Sequence, residues 1–188
     1  APYSVARWNY DSPLGSPVTI NYAFGGTDFG YVTGHDVQRN FYQYEKNAIV
    51  EELIEVSKLT NITFVEVVDS SAVNSVNIIF RITTGEVNAA NLPPIDADTD
   101  SGFKIVTYSE STNMRYLNPA RESTYERFTS QDVDYKHDYS RSKWMIIHEL
   151  GHALGLYHPF STENNPHAIA PLNGDDENMF NTVMSYSL

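Results

Sequence analysis

The stretch His148-Glu149-Leu150-Gly151-His152-Ala153-Leu154-Gly155-Leu156-Tyr157-His158 carries three histidines, one carboxylate and a helix-ending glycine in eleven positions. On an α-helix, side chains four residues apart stand about 40° apart around the axis and about 6 Å along it, so His148 and His152 can aim at one ion. Glu149 falls on the flank of the same face, angled to hold a water beside the ion, and is the expected general base. If the helix simply continued, His158 would lie about 15 Å beyond His148 and well round the cylinder. Gly155 resolves this, because a glycine in the left-handed conformation ends a helix and turns the chain, bringing His158 back towards the pair. Pro159 then forbids the helix from resuming. Five fixed positions of this kind arise by chance in about one sequence of this length in ten thousand.

Three histidines leave the fourth tetrahedral position to water, the mark of a catalytic rather than a structural zinc site, and the chain has no cysteine with which to close it. Zinc brings the pKa of a coordinated water from about 15.7 towards 7, so the pattern predicts one catalytic Zn2+ and a hydrolytic reaction, peptide hydrolysis being the natural one.

A second stretch, Thr182-Val183-Met184-Ser185-Tyr186, lies downstream. Together with the extended histidine pattern it resembles the metzincin class of zinc endopeptidases, whose second signature is a methionine turn after the zinc helix. Methionine followed two residues later by tyrosine is similar to astacins and serralysins. His158-Pro159 and the absence of cysteine point to the serralysin family of secreted bacterial proteases. Asn61-Ile62-Thr63-Phe64-Val65-Glu66-Val67 looks like the serralysin strand that follows the long backing helix. The resemblance implies that Met184 floors the three imidazoles and that Tyr186 is a fifth metal ligand at rest, swinging aside to hydrogen-bond the transition state. Core packing at a turn is the alternative reading of Tyr186, which its offset from Met184 disfavours; for Met184 packing and function coincide. The chain departs from serralysins in lacking GGxGxD repeats, Gly25-Gly26-Thr27-Asp28 being an isolated fragment, so calcium by that route is not implied.

The fold the resemblance implies is α/β (α+β), metzincin- or zincin-like. It would hold a twisted five-stranded, mostly parallel sheet with an antiparallel edge strand, a backing helix and an active-site helix. A single catalytic domain over 1–188 would divide into an upper part, 1–158, with the zinc helix and a lower part, 159–188, with the methionine turn. An extended peptide or protein substrate would add to the exposed sheet edge as one more strand, through main-chain hydrogen bonds. A protein inhibitor is a further expected partner, and a monomer the expected state.

Composition sets the bounds. With 188 residues, 41% of them hydrophobic, the chain can bury one substantial core. Twenty-four acidic against twelve basic residues give a net charge of −12, which repels nucleic acid and anionic membrane surfaces. No apolar run is long enough for a membrane span. Ala1-Pro2-Tyr3-Ser4 lacks a charged and apolar leader, which reads as a mature chain from which any signal or propeptide has gone; secretion is what the serralysin resemblance implies.

Along the chain, Val18 to Phe24 alternates in strand fashion up to Gly25-Gly26. Residues 36 to 59 read as a long helix, started by Asp36, with one stripe at Val37, Phe41, Tyr44 and Ala48 and another at Tyr42, Ile49, Leu53 and Val56, implying burial on two sides. Strands come next at 62–68 and 76–82, giving a strand-helix-strand crossover onto one sheet. The resemblance adds a short antiparallel edge strand near 87–92 and a further strand at 103–108. Between Ser109 and Ser140 lies a long segment with scattered aromatics and prolines, read equally as a cleft element or as a cover for the core.

Asp96, Asp98, Asp100 and Gly102 resemble a calcium loop in their alternation, but the places an EF-hand needs for glycine and glutamate hold Ser101 and Thr107, so a solvated acidic loop is the favoured reading over calcium. Asp175, Asp176 and Glu177 read the same way. His35, His137 and His167 lack ligand spacing and receive no role. Two other functions fit parts of the pattern. One is a non-catalytic or inhibitor-silenced binding module of metzincin fold, which the intact base and ligand set disfavour; the other is a zinc amidase, which would share the chemistry but not the substrate.

Overall fold

In a computed structural model of the chain, the described residues are 8–9, 12–26, 38–83, 104–109, 114, 117, 135–156, 158 and 182–185. They form a mixed α/β arrangement, with a mostly parallel sheet carrying two helices on one face. The strands are β1 (Val18–Phe24), β2 (Gln38–Arg39), β3 (Ile62–Glu66), β4 (Ile78–Thr83) and β5 (Lys104–Ser109). The helices are α1 (Gln43–Leu59) and α2 (Tyr135–Ala153), and a 3-10 turn spans Ser70–Ser75.

β1 pairs in parallel with β3, from Val18 opposite Ile62 to Tyr22 opposite Glu66. It also pairs in parallel with β4, from Tyr22 opposite Ile78 to Phe24 opposite Phe80. β5 runs parallel to β4 along the whole of it, Ile78 to Thr83 against Lys104 to Ser109. A strand has two edges, so β1 and β2 must share the other edge of β4. β2 takes the end that β1 leaves free, antiparallel, with Gln38 opposite Thr83 and Arg39 opposite Ile82. The antiparallel strand expected near 87–92 lies outside the described residues.

Side chains alternate across each strand, and the two faces are filled differently. Ile20, Tyr22 and Phe24 of β1, Ile78, Phe80 and Ile82 of β4, and Val106 and Tyr108 of β5 share one core with Ala48, Ile49 and Leu53 of α1 and Ile146, Leu150 and Ala153 of α2. The opposite face holds a smaller cluster of Ala23, Ile79 and Val76. Both helices therefore press on the same face of the sheet, with β5 behind α2.

Two features of α1 differ from the sequence reading. It begins at Gln43 rather than Asp36, because residues 38 and 39 pair with β4 instead. Phe41 is a core residue, as its place in a stripe suggested, but it reaches the core from ahead of the helix. The start is set by Glu45, whose carboxylate accepts the Tyr42 N–H at 2.8 Å. The same carboxylate accepts from Nη1 and Nη2 of Arg39, at 2.9 and 2.6 Å. A buried carboxylate in the first helical turn is thus paired and tied to β2 at once. The second difference is burial. Glu45, Ala48, Ile49, Glu52 and Leu53 define a single buried face, with Tyr42 exposed, so α1 is covered on one side and not two.

β3 stops at Glu66, two residues short of the expected end, and β4 starts at Ile78 rather than Val76, the 3-10 turn lying between them. The segment after Ser109 contributes Met114 and Leu117 to the main core, and its last residues, from Tyr135, already belong to α2. That part of it covers the core. Asp96, Asp98, Asp100, Gly102, Asp175, Asp176 and Glu177, with His35 and His167, lie outside the described residues, as does the side chain of His137. Among the described residues, no helix is long and apolar enough to cross a membrane.

Candidate metal centre

α2 delivers His148, Glu149 and His152 from its last turns, all buried. The helix then ends in a stop of defined geometry. Gly155 takes φ = 103°, a conformation that costs any residue with a Cβ. Its N–H donates to the His152 carbonyl at 3.0 Å, and the next N–H, of Leu156, donates to the Gly151 carbonyl at 2.9 Å. These two bonds are those of a Schellman motif, which satisfies the helix's last carbonyls while reversing the chain. The Ala153 carbonyl at the same end accepts the indole N–H of Trp8 at 2.8 Å. The reversal brings His158 to the other two histidines.

The three rings converge through the same atom. His158 Nε2 lies 3.1 Å from His148 Nε2 and 3.0 Å from His152 Nε2. The His152 ring stands nearly perpendicular to both of the others, at 89° and 83°. The opposite nitrogens of two rings are tied off: His148 Nδ1 lies 2.8 Å from the Val183 carbonyl, and His152 Nδ1 lies 2.8 Å from the Leu156 carbonyl. A carbonyl only accepts, so in both rings Nδ1 carries the proton and Nε2 presents a lone pair. Lone pairs aimed at one another at about 3 Å repel unless a cation or proton lies among them. These three residues form a group that can hold a metal ion, and the donor set fits zinc, which takes neutral imidazole nitrogen.

Burial keeps the donors neutral. It lowers the pKa of His148, and that of His152 to about 4, with the other two imidazoles adding to the effect on His152. His158 is lowered by burial and by His148. Burial acts the opposite way on the carboxyl of Glu149, 2% exposed, raising it to about 7. Glu149 thus stands buried beside the three histidines, its carboxyl held above the ordinary carboxylate range.

The turn at residues 182–185 packs on the same helix. Met184 is buried, its N–H donates to Thr182 Oγ1 at 3.2 Å, and Ser185 N–H donates to the Thr182 carbonyl at 3.2 Å. The Met184 sulfur lies 2.6 Å from where a Cβ on Gly151 would stand. A glycine inside a helix costs about 1 kcal/mol against alanine, and here it makes room for the methionine. Met184 is thus placed against the helix carrying the histidines, whereas Tyr186 and Pro159 lie outside the described residues.

Sequence spacing singled out the three histidines that the fold brings together, with Glu149 beside them, but did not show the carbonyls of Val183 and Leu156, which hold Nδ1 of two of the rings. Backbone acceptors carry no residue signature. Gly151 did carry a signal, since a glycine inside a helical pattern points to a close approach.

No family model matches the chain, and no curated protein matches it. Among solved structures, one described as the structure of myroilysin is similar at a TM-score of 0.45 and 17% identity, over 97% of this chain and 72% of that one.

Proposed function

We propose that the protein is a zinc-dependent endopeptidase of the metzincin type, closest to serralysins, that hydrolyses peptide bonds of protein substrates. The observation that carries this reading is the convergence of three imidazole Nε2 atoms beside a buried carboxyl of raised pKa. Three protein donors leave room for water and substrate, and Glu149 is the only carboxylate between His148 and His158.

Bound zinc would acidify water and polarise the scissile carbonyl. The protein's own residues do the rest. His148, His152 and His158 hold the ion, the first two fixed in orientation by the Val183 and Leu156 carbonyls. Glu149 takes the proton from the attacking water and passes it to the leaving amine nitrogen, so the carboxylate ends the cycle as it began. In this reading Tyr186 assists as resting ligand and transition-state donor, and Met184 floors the site. The substrate lies extended along a sheet edge, and residues 159–188 form the lower wall of a single catalytic domain. A secreted, monomeric enzyme restrained by a protein inhibitor fits the family likeness, and the net charge of −12 disfavours nucleic acid as a partner.

The test is Glu149→Gln, assayed by casein hydrolysis after loading with Zn2+. Activity is expected to fall at least about a hundredfold while one zinc per chain remains bound. Retained hydrolysis, or protein that takes up no zinc, overturns the assignment.

A further inference from the structure

Trp144 stands four residues before His148 on α2, and so on the same helical face one turn earlier. Its indole meets the His148 imidazole with ring centroids 4.9 Å apart and planes at 39°. His148 is fully buried, and the hydrogen-bond acceptor of its Nδ1 is the Val183 carbonyl, 35 residues away. The acceptor for His152 lies in the stop of its own helix. The orientation of His148 therefore depends on a contact with a remote turn, and one hydrogen bond fixes the position of Nδ1 without preventing the ring from tilting about it. An aromatic face against the ring restricts that tilt. It also favours the positive charge an imidazole acquires on binding a cation.

We propose that Trp144 is a positioning residue for the metal centre, holding the His148 ring so that Nε2 faces the other two donors, and that its indole emission reports occupancy of the site. The inference rests on the metal-site reading and adds to it a residue that the histidine pattern does not contain. Partners that orient a ligand typically change metal affinity by about 10- to 100-fold when removed.

The experiment strips the protein of metal and titrates it with Zn2+ in competition with a chromophoric chelator, comparing the unsubstituted chain with Trp144→Phe and Trp144→Leu. Phenylalanine keeps an aromatic face and is expected to bind within about threefold of the original; leucine keeps apolar bulk without that face and is expected to bind about tenfold more weakly. In parallel, Zn2+ should change the tryptophan emission of the unsubstituted chain with the same midpoint as the competition titration. That change should be lost in Trp144→Phe, where Trp8 is the remaining tryptophan. Leucine binding Zn2+ within twofold of the original overturns the inference, as does an emission response that survives in Trp144→Phe, and both leave the metal site standing. Failure of the unsubstituted chain to bind Zn2+ overturns the metal-site reading and the inference together. Should the leucine variant not fold, Trp144→Met takes its place, with the same expected loss of affinity and the same overturning result.

Discussion

Glu149→Gln should stabilise the metal-free fold, and by an amount that depends on pH. The Glu149 carboxyl is 2% exposed, and burial raises its pKa from the ordinary 4.5 to about 7. Well below pH 4.5 the group is neutral in folded and unfolded chains alike, and its titration contributes no difference. Between 4.5 and 7 the unfolded chain has released the proton while the folded one still holds it, so the folded state loses about 1.4 kcal/mol per pH step. Above 7 both are ionised, and the full penalty of about 3 kcal/mol stands. Glutamine has nearly the same shape and no charge to desolvate. The stability of the variant minus that of the original should therefore widen by about 2.5 kcal/mol between pH 5 and pH 8. The histidines, whose lowered pKa values act in the opposite sense, are common to both proteins and cancel in the difference. Urea unfolding of metal-depleted protein, followed by circular dichroism, measures the gap, and adding Zn2+ should narrow it because a cation offsets the cost of the buried carboxylate. A gap that stays constant from pH 5 to 8 would refute the claim that the fold desolvates Glu149.

The same geometry sets other outcomes. Gly151→Ala should lose about 1 kcal/mol or more despite alanine's better helix propensity, because its Cβ meets the Met184 sulfur; in a Met184→Ala background the same change should become neutral or stabilising, as a double-mutant cycle by thermal unfolding would register. Gly155→Ala should cost about 1–2 kcal/mol through its positive φ and weaken Zn2+ binding by displacing His158, read by melting and by metal titration. Zn2+ affinity should begin to fall at a lower pH than for free histidine, since each ligand's pKa is depressed, with His152 at about 4; a decline already steep above pH 6.5 would contradict this. Arg39→Met should destabilise by about 3 kcal/mol, because Glu45 remains buried at the start of α1 without its guanidinium partner, and Glu45→Gln in that background should recover part of the loss in urea unfolding.

The sequence by itself determined the elements whose cause is local. The bounds of β1, the body of α1 and the three histidines that the fold brings together were legible because alternation, helical spacing and a glycine stop each act within a few residues, whereas β5 was placed by the family resemblance. The left-handed glycine at 155 could be inferred without any structure, since His158 has no other route back to His148. Tertiary structure decided what depends on partners distant in the chain. Residues 38–39 left the helical pattern to pair with β4, and from there Arg39 reaches the Glu45 carboxylate in the first turn of α1. One face of α1 is buried where two stripes were visible, because both helices pack on the same side of the sheet. The acceptor that fixes His148 is a carbonyl 35 residues away, and the methionine that fills the space over Gly151 comes from the same turn. Backbone groups are identical at every position, so only the fold selects which of them orients a histidine ring.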